Sequence, residues 1–147
     1  MRRDYPERPL VGVLGVVRRA GEVLLVERAR PPFVGQWGFP GGAQELGETV
    51  FAATARELFE ETRLRVEPVA ILTVLDTILR DPAGLVRTHW TLLAILAEWR
   101  AGEVALDAEA SEFGWFTPAA LAERRLPLMD AVERLAALAL GHPRGDP

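Results

Sequence analysis

The sequence contains no cysteine, no lysine and no asparagine, and it has only two histidines among 147 residues. Without cysteine the chain can form no disulfide, thiolate zinc site, iron–sulfur cluster or thiol nucleophile, which is compatible with a reducing compartment. With two histidines, a multi-histidine metal site is not expected. Any fixed cationic contact to a ligand must come from arginine, histidine or the N-terminal amine.

Blocks of like charge and long apolar runs are also lacking. The chain has 17 basic and 21 acidic residues, a formal net charge of −4, and no basic stripe of the kind that nucleic-acid binding needs. No apolar run approaches the roughly 20 residues that span a bilayer, and the N-terminus has no signal-peptide core. We therefore expect a cytoplasmic protein whose main partner is neither nucleic acid nor a membrane.

Strand-like segments alternate with turn signals along the chain. Residues 10–17 and 23–27 are apolar and β-branched and predict a hairpin. Two longer runs, 68–80 and 85–99, flank the strong turn signal Asp81-Pro82-Ala83-Gly84 and predict a second hairpin. Residues 28–38 are too rich in proline and glycine for a regular element. Residues 113–116 predict a short last strand.

Helical spacing is seen in residues 49–62, where Thr49 is a plausible N-cap. The expected apolar arc comprises Phe51, Ala55, Leu58, Phe59 and Thr62, with Thr54 at its edge. A second helix opens at Thr117-Pro118, and a third runs near 128–140. Interleaved strands and helices predict one α/β domain over residues 1–147, an α/β/α sandwich with a central mixed sheet. Residues 1–8 and 141–147 are expected to fray.

Three glutamates share one face of the first helix. Glu57, Glu60 and Glu61 are spaced i, i+3 and i+4. The like-charged pair Glu57 and Glu61 costs roughly 0.2–0.5 kcal/mol, and the helix dipole disfavours negative charge in this half of the helix. A solvated acidic face is the ordinary interpretation of such a cluster. A divalent-cation site is the alternative, because local stability alone argues against this placement.

The residues upstream favour the cation site. Gly41-Gly42 lets the backbone approach a phosphate or a metal closely, and Glu48 adds a fourth carboxylate at the helix entrance. The full pattern is Gly42, five residues, Glu48, seven residues, Arg56-Glu57-Leu58-Phe59-Glu60-Glu61 and then Thr62-Arg63-Leu64. This pattern resembles the Nudix box of the Nudix hydrolase superfamily, which includes MutT-like and ADP-ribose pyrophosphatase-like members. One fixed position differs, since Arg63 stands where the family has glycine.

The resemblance implies an enzyme that uses Mg²⁺ or Mn²⁺ to hydrolyse a nucleoside diphosphate linked to another moiety. It implies Glu57 and Glu61 as principal metal ligands, Glu60 as a direct or water-mediated ligand, and the Gly41 carbonyl as a backbone ligand. Arg56 would orient the carboxylates by pairing with Glu48. The general base varies within the superfamily, so Glu48, Glu60 and Glu112 all stay candidates, and Glu112 is equally well an ordinary loop acid.

Candidate substrate contacts are less specific. Arg28 and Arg30 could bind phosphate, Trp37 or Phe39 could stack a base, and the Gly42 backbone could approach a phosphate. Each of these side chains could equally form a structural salt bridge or pack in the core, and for the two aromatic residues we favour packing.

ADP-ribose or another nucleotide sugar is the favoured substrate, and a nucleoside triphosphate is the next choice. The alternative function is a Nudix-like sensor module that binds a nucleotide without hydrolysis, which the Arg63 departure motivates. Such modules usually lose box glutamates, whereas this chain retains all four. The sequence leaves the oligomeric state open, a homodimer included.

Overall fold

A seven-stranded mixed sheet forms the centre of the structure, a computed structural model that describes residues 2–144. The strands are β1 Leu10–Arg19, β2 Glu22–Arg28, β3 Trp37–Gly38, β4 Gly41–Ala43, β5 Arg65–Arg80, β6 Val86–Ala101 and β7 Ala110–Phe116. The helices are α1 Val50–Thr62, α2 Pro118–Ala122 and α3 Val132–Gly141. The main path runs β3-β2-β1-β6-β5, with β4 paired to β1 and β7 paired to β2. Only β1 and β6 pair in parallel among these strands, so the predicted mixed sheet is confirmed.

Both predicted hairpins form. The β1–β2 turn is tighter than expected, because Arg18 and Arg19 remain in the strand and pair with Val23 and Glu22. Only Ala20 and Gly21 lie outside the ladder, both with positive φ (50° and 79°), as a two-residue turn matched to the strand twist requires. The β5–β6 hairpin is the longer one, with 16 residues in each strand.

Helix α1 covers one face of the sheet. Thr49 caps it as predicted, its hydroxyl accepting the Ala52 amide at 3.0 Å. A Cβ at Gly15 of β1 would lie 2.1 Å from Leu58 Cδ2, so glycine at this position lets the helix pack directly on the strand. The buried stripe of the helix consists of Ala53, Thr54, Leu58 and Thr62. The predicted arc was therefore partly wrong: the helix turns its small residues to the sheet and leaves Phe51 exposed.

Helix α3 packs on the opposite face, which completes the predicted three-layer sandwich. The buried Arg18 side chain secures its end by donating to the carbonyls of Ala139 (2.6 Å) and His142 (2.7 Å) and to the Glu98 carboxylate (2.7 Å). Those carbonyls belong to a helix terminus that has no intrahelical donor for them. Arg18 thus links the sheet to the C-terminal end of α3.

The last helix begins at Val132, four residues later than expected. The preceding segment is drawn into pairing with β3 instead, since Trp37 N donates to Pro127 O at 2.8 Å and Met129 N donates to Trp37 O at 2.9 Å. Tertiary hydrogen bonds therefore override the helical spacing of residues 128–131.

The N-terminal segment lies against the β5–β6 hairpin, although the sequence predicts fraying over residues 1–8. Tyr5 N donates to Arg87 O, and the Tyr5 hydroxyl donates to Asp81, both at 2.7 Å. Arg87 also pairs with Asp4 at 3.0 Å. Residues 1 and 145–147 are outside the described residues, so the predicted fraying at those positions stays a prediction. Within residues 2–144, no helix is both long and apolar enough to cross a membrane.

Arg63 ends α1 in the left-handed conformation (φ 64°), and its amide donates to Phe59 O at 2.9 Å. Glycine adopts this geometry at no steric cost, whereas a residue with a side chain pays about 1–2 kcal/mol. Part of that cost is offset here, because the Arg63 guanidinium lies 5.2 Å from the Phe59 ring centroid. The exit of the helix is preserved despite the substitution.

Arg63→Gly should raise the free energy of unfolding by up to about 1 kcal/mol, because glycine adopts the left-handed conformation without strain. Arg63→Ala is the matched control: it keeps the strain and loses the contact with Phe59, so its free energy of unfolding should be lower than that of the wild type. Urea unfolding of the three proteins measures both effects. An Arg63→Gly protein no more stable than Arg63→Ala would contradict this account of the helix end.

Candidate active site

Arg56 is the centre of a cluster of acidic side chains between α1 and the loop that precedes it. Its guanidinium makes two hydrogen bonds to Glu48, from Nε at 2.8 Å and from Nη2 at 2.7 Å. Nη1 donates to Glu57 at 2.9 Å and to Glu60 at 3.3 Å, and Nη2 also donates to Ala43 O at 3.0 Å. Only a planar guanidinium can serve so many acceptors in fixed directions. Arg56 thus fixes the loop and strand β4 to α1.

The carboxylate of Glu48 is held in its ionised form. The hydrogen bonds from Arg56 are the main cause, and a bond from the Glu45 amide at 2.8 Å adds to them, so that the pKa of Glu48 falls to about 2. In return, Glu48 raises the pKa of Arg56 above its usual value. The sequence prediction that Arg56 pairs with Glu48 agrees with these contacts.

Strand β4 lies so close to both β1 and α1 that a Cβ at either of its first two residues would meet a neighbouring group. A Cβ at Gly41 would lie 1.9 Å from Val13 O, and a Cβ at Gly42 would lie 2.5 Å from the carboxyl carbon of Glu57. The Gly41 amide also donates to Glu61 Oε2 at 3.1 Å. The two glycines therefore bring main-chain polar groups next to the carboxylates of Glu57 and Glu61.

Glu61 lies in a shielded position that disfavours its charge. Burial is the main reason why the pKa of Glu61 rises to about 8, and repulsion from Glu57 raises it further. The Gly41 hydrogen bond acts in the opposite direction, while Asp107 and Glu109 also raise this pKa. A shielded carboxylate beside several others, with no cationic side chain bonded to it in residues 2–144, has the electrostatics expected of a cation-binding position.

The donor chemistry around these carboxylates fits a hard divalent cation. Carboxylate and carbonyl oxygens are the ligands that Mg²⁺ and Mn²⁺ prefer, and the close approach at Gly42 leaves no side chain between the backbone and Glu57. Within the described chain, however, no three acidic or histidine side chains converge tightly enough to enclose an ion. The pair brought together at β4 is Glu57 and Glu61, because Glu60 is exposed and turned towards Arg56.

The candidate substrate residues are spread over several environments. Arg28 donates to Pro32 O at 2.9 Å within its own loop, and Arg30 forms an exposed ion pair with Glu109 at 3.0 Å. Trp37 and Phe39 are both buried in the core on the α3 side of the sheet. Both aromatic residues thus pack in the core, which is the alternative that the sequence analysis favoured. Stacking of a substrate base on either one stays a prediction.

A cavity of about 360 Å³ lies next to Trp37. Its lining is mainly apolar and includes two charged residues; the residues are Trp37, Phe116, Ala120, Leu121, Glu123, Arg125, Leu126 and Leu128. Trp37 meets Phe116 edge to face at 5.8 Å between ring centroids. Two residues separate β3 from Gly41, so Trp37 in the cavity wall is close in sequence to the glycine backbone of β4.

Glu112, the candidate base from the last loop, lies on β7 opposite Glu27 of β2. Its carboxylate accepts the Phe113 amide at 3.2 Å, and no hydrogen bond joins it to α1 in residues 2–144. In the loop between β6 and β7, the acids that raise the pKa of Glu61 are Asp107 and Glu109, and the sequence analysis missed both. Asp107 is placed there by its amide, which donates to Glu61 O at 3.2 Å. Only the acidic content of this loop could have indicated such a role.

Comparison with known proteins identifies relatives across most of the chain. The NUDIX domain family model matches residues 6–137. An ADP-ribose pyrophosphatase from Methanocaldococcus jannaschii is 38% identical over 102 residues, covering 69% of this chain and 60% of that protein, so this chain matches less than two thirds of that relative. A MutT-like protein from Streptomyces ambofaciens is 33% identical, covering 84% of this chain and 77% of that protein. The crystal structure of a MutT NUDIX hydrolase from Burkholderia pseudomallei superposes with a TM-score of 0.76 at 31% identity, covering 90% of this chain and 98% of the other.

Glu48→Gln should make the melting temperature depend less on pH below about pH 5. The folded-state pKa of Glu48 lies below its ordinary value, so its contribution is complete above about pH 5 and is lost as the pH falls towards about 2. The variant should have a lower melting temperature than the wild type at pH 7, and the difference should shrink on acidification. Glu45→Gln is the matched control, because Glu45 is exposed and lies 3.8 Å from Arg56. Equal pH profiles for the wild type and Glu48→Gln would contradict the assigned pairing.

Proposed function

The chain belongs to the NUDIX domain family, and on that premise we propose that it is a divalent-cation-dependent hydrolase that cleaves the diphosphate linkage of a nucleoside diphosphate joined to another moiety. The supporting observation is the approach of Glu57 and Glu61 to the glycine backbone of β4. Two neighbouring carboxylates held against a bare backbone can share one cation. Of the two glycines, Gly42 is the one that makes room for the Glu57 carboxylate, whereas Gly41 makes room for the Val13 carbonyl of β1.

The proposed ligands are the carboxylates of Glu57 and Glu61 and the Gly41 carbonyl, with Mg²⁺ or Mn²⁺ as the ion. The chemistry that such a cation supplies is charge neutralisation on the diphosphate and a more acidic water molecule. Glu60 completes the set only if it exchanges its 3.3 Å contact with Arg56 for the ion or for a water bound to it.

Arg56 and Glu48 are proposed to position the site and not to react. Arg56 contacts Glu57 directly, so it limits the directions in which that carboxylate can point. Glu48 is a poor general base, since a group with a pKa of about 2 has little affinity for a proton at neutral pH. Of the candidates, we propose Glu60, which is more exposed than Glu48 and less firmly bonded to Arg56. Glu112 stays an alternative.

ADP-ribose or another nucleotide sugar is the proposed substrate class, supported by the identity with the Methanocaldococcus jannaschii protein. We propose that Arg30 offers the fixed positive charge to the phosphates. Its exposed partner Glu109 also raises the pKa of Glu61. An exposed ion pair contributes little to stability, so Arg30 can exchange Glu109 for a phosphate at small cost. A nucleoside triphosphate is the second substrate class, supported by 47% identity over 60 residues, 40% of this chain, with a Mycobacterium tuberculosis protein named putative 8-oxo-dGTP diphosphatase 2.

Glu61→Gln should reduce Mg²⁺-dependent turnover by at least about a hundredfold without lowering the melting temperature. The amide oxygen of glutamine can still accept the Gly41 hydrogen bond, while the repulsion from Glu57 is removed. Glu103→Gln is the matched control, because Glu103 is exposed in the loop between β6 and β7, and this variant should retain full turnover. Undiminished turnover by Glu61→Gln would contradict the proposed cation site.

A nucleotide panel separates the proposed hydrolase from a binding module. The wild-type chain, incubated with Mg²⁺ and with ADP-ribose, other nucleotide sugars or nucleoside triphosphates, should release phosphate-containing products, fastest from ADP-ribose. Product analysis by chromatography is the measurement, and calorimetry gives binding under the same conditions. Saturable binding without products would favour the sensor function.

A further inference from the structure

Two arginines at the end of helix α1 share one aromatic ring. Arg63 follows the last residue of the helix, and Arg65 is the first residue of β5. Their guanidinium carbons lie 5.2 Å and 4.9 Å from the centroid of the Phe59 ring. Both arginines are exposed, whereas Phe59 is half-buried. We call these three residues the Phe59 stack.

The Phe59 stack lies away from the proposed cation site. At about 100° per residue, Phe59 is about 160° around the helix axis from both Glu57 and Glu61. Its contact with Arg65 puts it on the β5 side of α1, whereas the two glutamates lie beside the glycines of β4. The stack is therefore a separate feature that the proposed hydrolysis does not use.

The two guanidiniums of the stack have no acceptor of their own. Within residues 2–144, neither one makes an ion pair or a hydrogen bond, because the neighbouring acids are already bonded. Glu60 accepts from Arg56 at 3.3 Å, and Glu67 accepts from Arg100 at 2.7 Å. A guanidinium stacked on a ring keeps the N–H donors along its edge for other acceptors. The stack thus presents two positive charges with unused donors.

The arrangement is unfavourable when nothing is bound to it. Arg63 has a φ of 64°, a conformation that is strained for any residue with a side chain. Two like charges beside one ring also repel each other. A strained residue at the protein surface is a reason to look for a use of its side chain. An anion that accepts from both guanidiniums would relieve the repulsion.

The chemistry of the pair favours a phosphate group over a carboxylate. The two guanidinium carbons are at most the sum of their distances to the ring centroid apart, about 10 Å. Because both side chains are exposed and unbonded, they can turn towards one small anion. A carboxylate is satisfied by a single guanidinium fork, whereas a phosphate monoester has three accepting oxygens and nearly two negative charges. Its charge therefore matches that of two arginines.

We propose that Arg63 and Arg65 form a binding site for a phosphate group, with Phe59 holding both guanidiniums in place. Inorganic phosphate and the phosphate monoester of a small molecule carry the same group, so both are ligands of this site. Stacking on the ring limits the freedom of the two side chains before the ligand arrives, which reduces the entropy lost on binding. This inference does not depend on the proposed hydrolysis.

Calorimetric titration of the full chain with inorganic phosphate, at constant ionic strength and without divalent cations, tests the site. The wild type should bind phosphate saturably. Arg65→Gln should raise the dissociation constant by at least about tenfold, because it removes charge-assisted hydrogen bonds. Arg3→Gln is the matched control, since the exposed Arg3 lies 5.6 Å from the Trp90 ring centroid with no second guanidinium over that ring in residues 2–144. No saturable binding by the wild type, or equal effects of the two substitutions, would overturn the proposal.

Arg63→Gly separates phosphate binding from a structural role of the stack. This variant should be more stable to urea than the wild type, because glycine relieves the strain at the helix end. It should nevertheless bind phosphate at least about tenfold more weakly, because one of the two guanidiniums is lost. If Arg63 served only to pack on Phe59, the affinity for phosphate would not change. Wild-type affinity in Arg63→Gly would therefore overturn the proposal.

Two further comparisons identify the ligand and its position. Phenyl phosphate should bind within about threefold of inorganic phosphate, and acetate should bind at least about tenfold more weakly than either. Arg30→Gln should leave the affinity for inorganic phosphate unchanged, since Arg30 lies beside Glu109 and outside the stack. Acetate binding as tight as phosphate, or phosphate binding lost in Arg30→Gln and kept in Arg65→Gln, would overturn the proposal. A chain that binds phosphate at this site and hydrolyses no nucleotide would contradict only the proposed function.

Discussion

The site depends on how closely the backbone of β4 can approach helix α1. A side chain at Gly42 would displace the Glu57 carboxylate of α1, and a side chain at Gly41 would overlap the Val13 carbonyl of the neighbouring strand β1. Arg56 holds the helix and the strand at this separation, because its guanidinium bonds both Ala43 O and Glu57. In a chain without lysine, arginine is also the side chain whose fixed planar geometry suits this number of acceptors. The carboxylates are thus positioned by this steric limit and by the Arg56 guanidinium acting together.

Much of this arrangement could be predicted from the sequence, because local spacing determines it. The helical period placed Glu57 and Glu61 on one face, the paired glycines indicated close backbone approach, and Thr49 indicated the start of α1. The two hairpins and the sandwich followed from alternating apolar segments and turns. These features need only residues that are near one another in the chain.

The parts that could not be predicted depend on contacts between distant segments. Phe51 is exposed because Gly15 draws the helix onto the sheet through Leu58, and α3 begins late because Pro127 and Met129 pair with Trp37. Asp107 likewise raises the pKa of Glu61 only because the loop between β6 and β7 folds back onto the end of α1.

Gly42→Ala tests most directly whether the approach of β4 to α1 creates the cation site. The added methyl group would force the Glu57 carboxylate away from the strand, whereas Gly141→Ala, with nothing within 4 Å of its added Cβ, serves as the control. Calorimetric titration of each folded protein with Mn²⁺ is the measurement. The account predicts that Gly42→Ala loses measurable Mn²⁺ binding while the wild type and Gly141→Ala retain it. Wild-type affinity in Gly42→Ala would contradict it.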